Sequence, residues 1–319
     1  MDFDVFNGDA DGLTALIQLR LAEPRSARRV TGVKRDIELL DRVDAGPGDR
    51  VTVLDISLDK NRGGVERLLA AGAEVDYTDH HYAGEIPQHP RLRTQINEAA
   101  DVCTALLVNG RLKNRYAAWA LTGAFGDNLH HSAQTLGASL GYDAGQLARL
   151  EALGTYLNYN GYGERIEDLH FEPEALYVRM HGYESPFDFL DAERAVFEQL
   201  ETGYRDDMAS AAAAQVHPGS NDQATLLILP DAAWARRVCG VYSNDLVQQF
   251  PDRAHAVLTE KASGGYLVSV RAPLNRKQGA DTLCRSFATG GGRAAAAGIN
   301  HLPESDLAPF ADAFRKQFC

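Results

Sequence analysis

The chain has 319 residues, more than one hydrophobic core usually supports, so two domains are expected. Its 45% hydrophobic and 24% charged residues are ordinary for a soluble globular protein, and its longest apolar runs are too short to span a bilayer. A formal net charge of −12 argues against long duplex DNA or RNA as a partner, because proteins that track such partners carry a basic stripe.

The first 80 residues alternate strand and helix patterns. Asp4–Phe6 is typical of a strand, and residues 13–21 carry apolar side chains at helical spacing. Val51–Leu54 is a β-branched run, residues 64–71 again have a helical period, and Val75–Thr78 is another predicted strand. This alternation predicts βαβ units around a parallel sheet, and therefore an α/β fold.

The pattern becomes helical from Cys103 to about Leu157, and the Gly- and Tyr-rich stretch Asn158–Gly163 predicts a loop. Residues 186–215 suit a connecting helix, after which strands are predicted at 225–229, 254–259 and 266–270. We therefore predict an N-terminal α/β domain, a helical linker and a smaller C-terminal α/β domain, at residues 1–190, 191–217 and 218–319.

Acidic and imidazole side chains follow three of the predicted strands, at Asp9, at Asp55 and at Asp79–His81. Ligands of open parallel sheets bind outside the carboxyl ends of the strands, so these residues are expected to converge. Carboxylates that converge repel one another unless a cation lies between them. Asp127 ends an apolar helix, where an acid opposes the helix dipole and is better explained as a ligand. Oxygen and imidazole donors without thiolates favour manganese, magnesium or iron.

Each of these segments has another interpretation when it is taken alone. Asn7–Gly12 matches the start of an EF-hand calcium loop, but such a loop needs a Glu where this chain has Gln18, and a preceding helix. Asp55 alone could cap the following helix, and the two histidines could be a surface or core pair. Their joint placement at strand ends favours a metal centre.

Together these motifs resemble the DHH phosphoesterase superfamily, which includes RecJ exonucleases, nano-RNases that also act on pAp, and cyclic-dinucleotide phosphodiesterases. The segments that carry the resemblance are, in chain order, Phe6–Ala15, Leu54–Ser57, Asp79–His81 and Gly126–Asn128. The C-terminal part resembles the substrate-binding domain of that family through its Gly-rich segment. The resemblance implies a Rossmann-like DHH domain, joined by the linker to a substrate-binding domain.

The resemblance also implies the metal ligands. One site is formed by Asp9, Asp55, His80 and Asp127. A second site shares the bridging Asp55, and Asn7 stands there where RecJ-like members have an acid, with Asp11 as a further ligand. Phe3 stands where some branches have a ligand His. The expected cofactor is Mn²⁺, as one or two ions, with Mg²⁺ or Co²⁺ as substitutes, and the second ion is expected to bind more weakly.

The activity implied is hydrolysis of phosphate esters of small nucleotides by in-line attack of a metal-bound water. In this scheme Asp79 orients His80, and His81 contacts the scissile phosphate or protonates the leaving oxygen. The alternatives left open are a nucleotide sensor of the same fold with a degenerate second metal site, and an α/β acyltransferase, for which no nucleophile is evident.

Substrate binding is expected to involve residues of both domains. By itself the segment Gly290, Gly291, Gly292 predicts a flexible loop before a helix N-terminus, whose amides can hold an anion. Arg271 and Arg293 would grip a phosphate, Arg293 standing where the family has a His. Tyr162 is a candidate for base stacking, although a plain loop residue explains it as well.

The expected partners are a dinucleotide, a short oligonucleotide, pAp or a cyclic dinucleotide, with neither long duplex nucleic acid nor a membrane; a homodimer is left open. The acidic first residues and four cysteines without zinc or redox spacing predict a cytoplasmic protein.

Overall fold

A computed structural model describes residues 1–319, and the chain divides into two compact units, Met1–Thr202 and Gly203–Cys319. The division falls inside one long helix, Arg194–Ala212, within the stretch that the sequence predicts to be a linker. None of the helices combines the length and apolar character needed to cross a bilayer.

The first unit is built on a parallel sheet of five strands in the order β2-β1-β3-β4-β5, which confirms the predicted α/β class. Phe3 and Val5 of the first strand contribute to the core on one face of the sheet, and Phe6 to the core on the other. Both faces of the sheet are therefore covered, as is usual for parallel sheets. The strands are β1 (Asp2–Phe6), β2 (Arg28–Val30), β3 (Arg50–Leu54), β4 (Glu74–Asp79) and β5 (Leu92–Ile96).

Helices cover this sheet unevenly. One face packs against a cluster of helices, and the other packs mainly against a single helix, Leu58–Ala70, and the short turn Leu39–Arg42. The close approach of helices at the site depends on Gly126, where a Cβ would lie 2.3 Å from that of Ala10. The helices are α1 (Ala10–Ala22), α2 (Leu58–Ala70), α3 (Thr104–Arg111), α4 (Ala117–Gly126), α5 (His130–Ser139), α6 (Ala144–Gly161), α7 (Pro173–Met180), α8 (Pro186–Ala192) and α9 (Arg194–Ala212).

The prediction of a loop at Asn158–Gly163 is wrong for most of its length, because α6 continues through Gly161. Tertiary contacts override the turn-forming composition. The side-chain oxygen of Asn160 accepts hydrogen bonds from the backbone N–H groups of His170 and Phe171, both at 3.0 Å. Gly161 lies so close to the segment after β1 that an added Cβ would be 3.1 Å from the Cα of Asp9.

The second unit has a mixed sheet of five strands in the order β6-β7-β8-β10-β9, in which only β6 and β7 pair in parallel. Phe310, Phe314 and Phe318 repeat every four residues along the last helix and complete the core of this unit. The elements are β6 (Ala224–Leu229), α10 (Ala233–Gln249), β7 (Ala254–Glu260), β8 (Tyr266–Arg271), α11 (Ala280–Arg285), β9 (Gly290–Gly292), β10 (Ala296–Leu302) and α12 (Leu307–Phe318).

The prediction of a flexible loop before a helix N-terminus at Gly290–Gly292 is also wrong. This segment forms the edge strand β9, which pairs antiparallel with β10. The turn between them is closed by backbone hydrogen bonds between Arg293 and Ala296, at 2.8 and 3.1 Å. Since a strand follows instead of a helix, no helix dipole acts at this glycine segment.

Candidate metal centre

The carboxyl ends of β1, β3 and β4 lie side by side, and predicted site residues follow each of them. Asp9 is the N-cap of α1, and its Oδ1 accepts hydrogen bonds from the backbone N–H of Asp11 at 3.0 Å and of Gly12 at 3.1 Å. Asp55 follows β3 with a φ of 60°, a left-handed conformation that is uncommon outside glycine and that occurs often at functional sites. The hydroxyl of Thr104 donates to Asp55 Oδ1 at 3.2 Å and helps to hold this carboxylate.

His80 lies among three buried or half-buried carboxylates. Its Nε2 atom is 3.5 Å from Asp55 Oδ1, 3.7 Å from Asp127 Oδ2 and 3.9 Å from Asp11 Oδ2. These separations exceed hydrogen-bond distances, so the four side chains converge on one position without bonding one another there. Ligand atoms of Asp11, His80 and Asp127 all lie within 4.8 Å of one another, and so do those of Asp55, His80 and His81.

The orientation of His80 leaves one ring nitrogen for a ligand bond. Its Nδ1 donates to the carbonyl oxygen of Val102 at 3.0 Å, and this makes Nε2 the unprotonated nitrogen of the neutral ring. The prediction that Asp79 orients His80 is therefore wrong. Asp79 Oδ1 instead accepts from His81 Nδ1 at 2.8 Å, because residues two apart at the end of a strand point to the same side.

Charge repulsion at the centre indicates that a cation belongs there. Burial raises the pKa of Asp55 well above its ordinary value, and the neighbouring charges of Asp11, Asp9 and Asp127 raise it further. Burial also raises the pKa of Asp127 to about 6, although the nearby Lys34 opposes this shift. A divalent cation would offset both the burial and the mutual repulsion. The donors present, which are carboxylate and imidazole, fit Mn²⁺ or Mg²⁺.

Asp11 has a second structural role. Its two carboxylate oxygens accept hydrogen bonds from the backbone N–H groups of Thr104, at 2.8 Å, and Ala105, at 2.7 Å, at the start of α3. Asp11 therefore connects the first motif to α3 and is itself held rigidly beside His80. The sequence assigns Asp11 only a supporting role in the second site, whereas the structure brings it into the group around His80 Nε2.

Lys34 is the main residue of the centre that sequence reasoning missed. Its ammonium group donates hydrogen bonds to Asp9 Oδ2 and, at 2.8 Å, to Asn158 Oδ1, and it lies 4.0 Å from Asp127 Oδ1. Burial opposes the ionisation of Asp9, yet the charge and hydrogen bond of Lys34 lower the pKa of Asp9 to about 2. Asp9 thus pairs with an ammonium group and belongs to neither group of candidate ligands around His80.

A signal for Lys34 was present in the sequence. The β-branched residues Val30 and Thr31, followed by Gly32, are typical of a strand that ends in a turn. In the structure the short strand β2 (Arg28–Val30) lies beside β1, with its carboxyl end at the same edge of the sheet. The rule that located Asp9 and Asp55 applies equally to residues just after β2. The strand was missed because it has only three residues.

The remaining predicted residues of the first unit are near the centre or in the core. The Asn7 side chain donates to the carbonyl oxygen of Lys34 at 3.2 Å, and its buried Oδ1 has no partner. Phe3 is 2% exposed and packs in the core, where no ion can reach it. Tyr162 caps the end of α6 and places its ring centroid 5.3 Å from Lys34 Nζ, within the range of a cation–π contact.

The predicted phosphate-binding residues of the second unit lie on its sheet. Arg271, at the end of β8, donates to Asn244 Oδ1 at 2.7 Å and to Ser269 Oγ at 3.0 Å. Arg293 is exposed in the turn between β9 and β10, and Gly290–Gly292 form the edge of the sheet. Arg271 is thus restrained by neighbouring polar side chains, whereas Arg293 is accessible to solvent.

The sequence matches no family model and no curated protein, so the comparisons rest on solved structures. A manganese-bound exonuclease RecJ has a TM-score of 0.62 at 17% identity, covering 99% of this chain and 89% of that one. RecJ in complex with Mn²⁺ from Thermus thermophilus has a TM-score of 0.65 at 19% identity; 99% of this chain matches 51% of that one. PggH, a pGpG-specific phosphodiesterase from Vibrio cholerae, has a TM-score of 0.58 at 16% identity, covering 99% of this chain and 98% of that one. The chain therefore has the fold of these RecJ and PggH structures.

Proposed function

We propose that this chain is a metal-dependent phosphoesterase that hydrolyses phosphate esters of small nucleotides. The observation that carries the proposal is the convergence of Asp11, Asp55 and Asp127 on His80 Nε2, the nitrogen left unprotonated by the contact with Val102. The fold shared with RecJ and PggH supports the same reaction class. Mn²⁺ is the cofactor we propose, since the two RecJ structures contain manganese.

The residues around the centre have separate roles in this proposal. A bound divalent ion lowers the pKa of water and polarises a phosphoryl group. Asp79 holds His81 through Nδ1 and favours its imidazolium form, in which Nε2 also carries a proton. This Nε2–H group is then left to contact the phosphate or to donate its proton to the leaving oxygen. The His81 side chain is 40% exposed, so a substrate has access to it. A ring nitrogen of His81 also lies within 4.8 Å of ligand atoms of Asp55 and His80, so His81 is a candidate metal ligand too. The metal content of a His81 variant separates a ligand from a residue that contacts the substrate.

Three observations support a small nucleotide as the substrate. The net charge of −12 argues against a long nucleic acid as the substrate. Tyr162 offers a ring for stacking beside Lys34, and PggH acts on a dinucleotide, pGpG. In this proposal Arg271, Arg293 and the edge strand Gly290–Gly292 hold a second phosphate, and the Gly290 N–H is not one of the donors because it donates to the carbonyl oxygen of Phe287 at 3.2 Å. A cytoplasmic location is part of the proposal, supported by four cysteines whose spacing is neither that of a zinc site nor that of a redox motif.

A nucleotide sensor without activity is the second candidate. It is favoured by one observation, the burial of Phe3 in the core where some branches of the superfamily have a ligand His. A panel of pGpG, a short oligonucleotide, pAp and a cyclic dinucleotide, assayed with Mn²⁺ at fixed salt, separates the candidates. We expect hydrolysis of at least one compound, abolished by Asp127→Asn and unchanged by Asp191→Asn, a charge-matched control on an exposed side chain. Binding without hydrolysis identifies a sensor, and neither binding nor hydrolysis refutes both.

A further inference from the structure

Lys34 is built into the centre more firmly than an ordinary surface lysine. Its backbone N–H donates to the carbonyl oxygen of Gly161 at 2.8 Å, and its own carbonyl oxygen accepts from the Asn7 side chain at 3.2 Å. Its ammonium group is bonded to Asp9 and Asn158. Backbone and side chain are therefore both anchored, and the ammonium is held at a defined position among the carboxylates.

This position uses the donor atoms that a second divalent ion would need. Asp9 Oδ1 accepts from two backbone N–H groups, and Asp9 Oδ2 accepts from the Lys34 ammonium group, so the charge of Asp9 is already balanced by a cation. By contrast, the Asp11 oxygens accept from the neutral N–H groups of Thr104 and Ala105, so the charge of Asp11 remains for a metal ion. Asn7 brings no charge to balance another cation, and the side chain of Phe3 is buried in apolar surroundings. The donors that remain, on Asp11, Asp55, His80 and Asp127, are sufficient for one ion.

We propose that the ammonium group of Lys34 takes the place of a second metal ion, so that the centre binds one divalent cation and one lysine. This inference rests on the proposed function, because it assumes that the first ion binds at the group around His80. An ammonium group has three N–H donors, of which Asp9 and Asn158 use two. With its side chain 22% exposed, Lys34 has one donor left for a phosphate oxygen of the substrate.

The surroundings of Lys34 favour a positive charge at this position. Its ammonium group is bonded to Asp9 Oδ2 and lies 4.0 Å from Asp127 Oδ1, so two carboxylates face it. Opposite charges at such distances favour the charged forms of both partners.

The test is the number of Mn²⁺ ions bound per chain, measured by calorimetric titration and elemental analysis, with an electron paramagnetic resonance spectrum of the loaded protein. We expect wild type to bind one ion, with the spectrum of an isolated Mn²⁺. Lys34→Ala frees Asp9 and should bind a second ion with exchange coupling between the two. Lys34→Arg keeps the charge and should bind one ion, and Arg35→Ala is the control for loss of a neighbouring positive charge.

The outcomes separate this inference from the proposed function. Two coupled ions in wild type, or one ion in folded Lys34→Ala, overturn the role of Lys34 and leave the phosphoesterase proposal standing. No Mn²⁺ bound by wild type refutes both. If Lys34→Ala fails to fold, the Mn²⁺ affinity of Asp9→Asn decides. The affinity for the single ion should fall only slightly if Asp9 binds Lys34 and not the ion. A loss of about a hundredfold or more, about 2.8 kcal/mol, means that Asp9 is a metal ligand and overturns the inference.

Discussion

Asp55→Asn is expected to be more stable than wild type without metal and less stable than wild type when Mn²⁺ is bound. Asp55 is 1% exposed, and burial and the surrounding carboxylates raise its pKa well above the ordinary value, so its charge is unfavourable without a cation. Asparagine keeps the Oδ1 acceptor for Thr104 and tolerates the left-handed backbone conformation, whose φ is 60°. The substitution should therefore stabilise the metal-free chain and weaken metal binding.

The size of the metal effect follows from linkage. At a free Mn²⁺ concentration about 100 times the dissociation constant, binding stabilises the wild-type protein by about 2.7 kcal/mol. For a unit of the length of Met1–Thr202, each kcal/mol shifts the melting temperature by about 2–4 °C. Wild type should thus gain about 5–11 °C from Mn²⁺ under these conditions, whereas Asp55→Asn should gain much less.

Thermal unfolding followed by calorimetry, in chelator and in Mn²⁺, is the appropriate assay, and the two units can give separate transitions. Asp191→Asn removes one charge from a side chain that is 75% exposed, so its response to Mn²⁺ should equal that of wild type. An Mn²⁺ shift in Asp55→Asn as large as that of wild type contradicts the assignment of Asp55 as a ligand. A metal-free Asp55→Asn protein less stable than wild type contradicts the argument from repulsion.

Four further predictions concern activity and pH. Chelator should abolish hydrolysis, and Mn²⁺ or Co²⁺ should restore it better than Ca²⁺, as a rate assay after dialysis will show. His81→Gln should lower kcat by about a hundredfold or more while the Mn²⁺ content stays at the wild-type value; loss of the ion instead makes His81 a ligand. The logarithm of substrate affinity plotted against the logarithm of salt concentration should have a shallow slope, as expected for contacts with about one to three phosphates. A steep slope points to a long polymer as the substrate. Burial lowers the pKa of His255 from its ordinary value of 6.5 to about 4, so between these two pH values the unfolded chain binds more protons than the folded chain. The free energy of unfolding of the second unit should therefore fall by about 1–2 kcal/mol between pH 7 and pH 5. In urea unfolding this loss should be absent from His255→Phe.

The sequence was sufficient for the class of fold and for the neighbourhood of the site. Alternating strand and helix periods predict the parallel sheet, and the strand-end rule brings Asp55 and His80 to one edge of it, where Asp127 joins them from the end of its helix. Both inferences depend only on local pattern and on the geometry common to all parallel sheets. They needed no knowledge of which side chains meet.

Pairing between distant side chains was decided by the tertiary structure. Asp9 and Asp11 are close neighbours in the chain and carry the same carboxyl group, yet packing directs Asp9 to Lys34 and brings Asp11 beside His80. Likewise, the local sequence predicts that Asn158 is a loop residue, whereas α6 continues past it and its side chain accepts a hydrogen bond from Lys34. The local sequence determines which acidic residues stand at a strand end, but the charge that each one faces depends on segments far along the chain. Here Lys34 is 25 residues from Asp9, and Asn158 is 124 residues from Lys34.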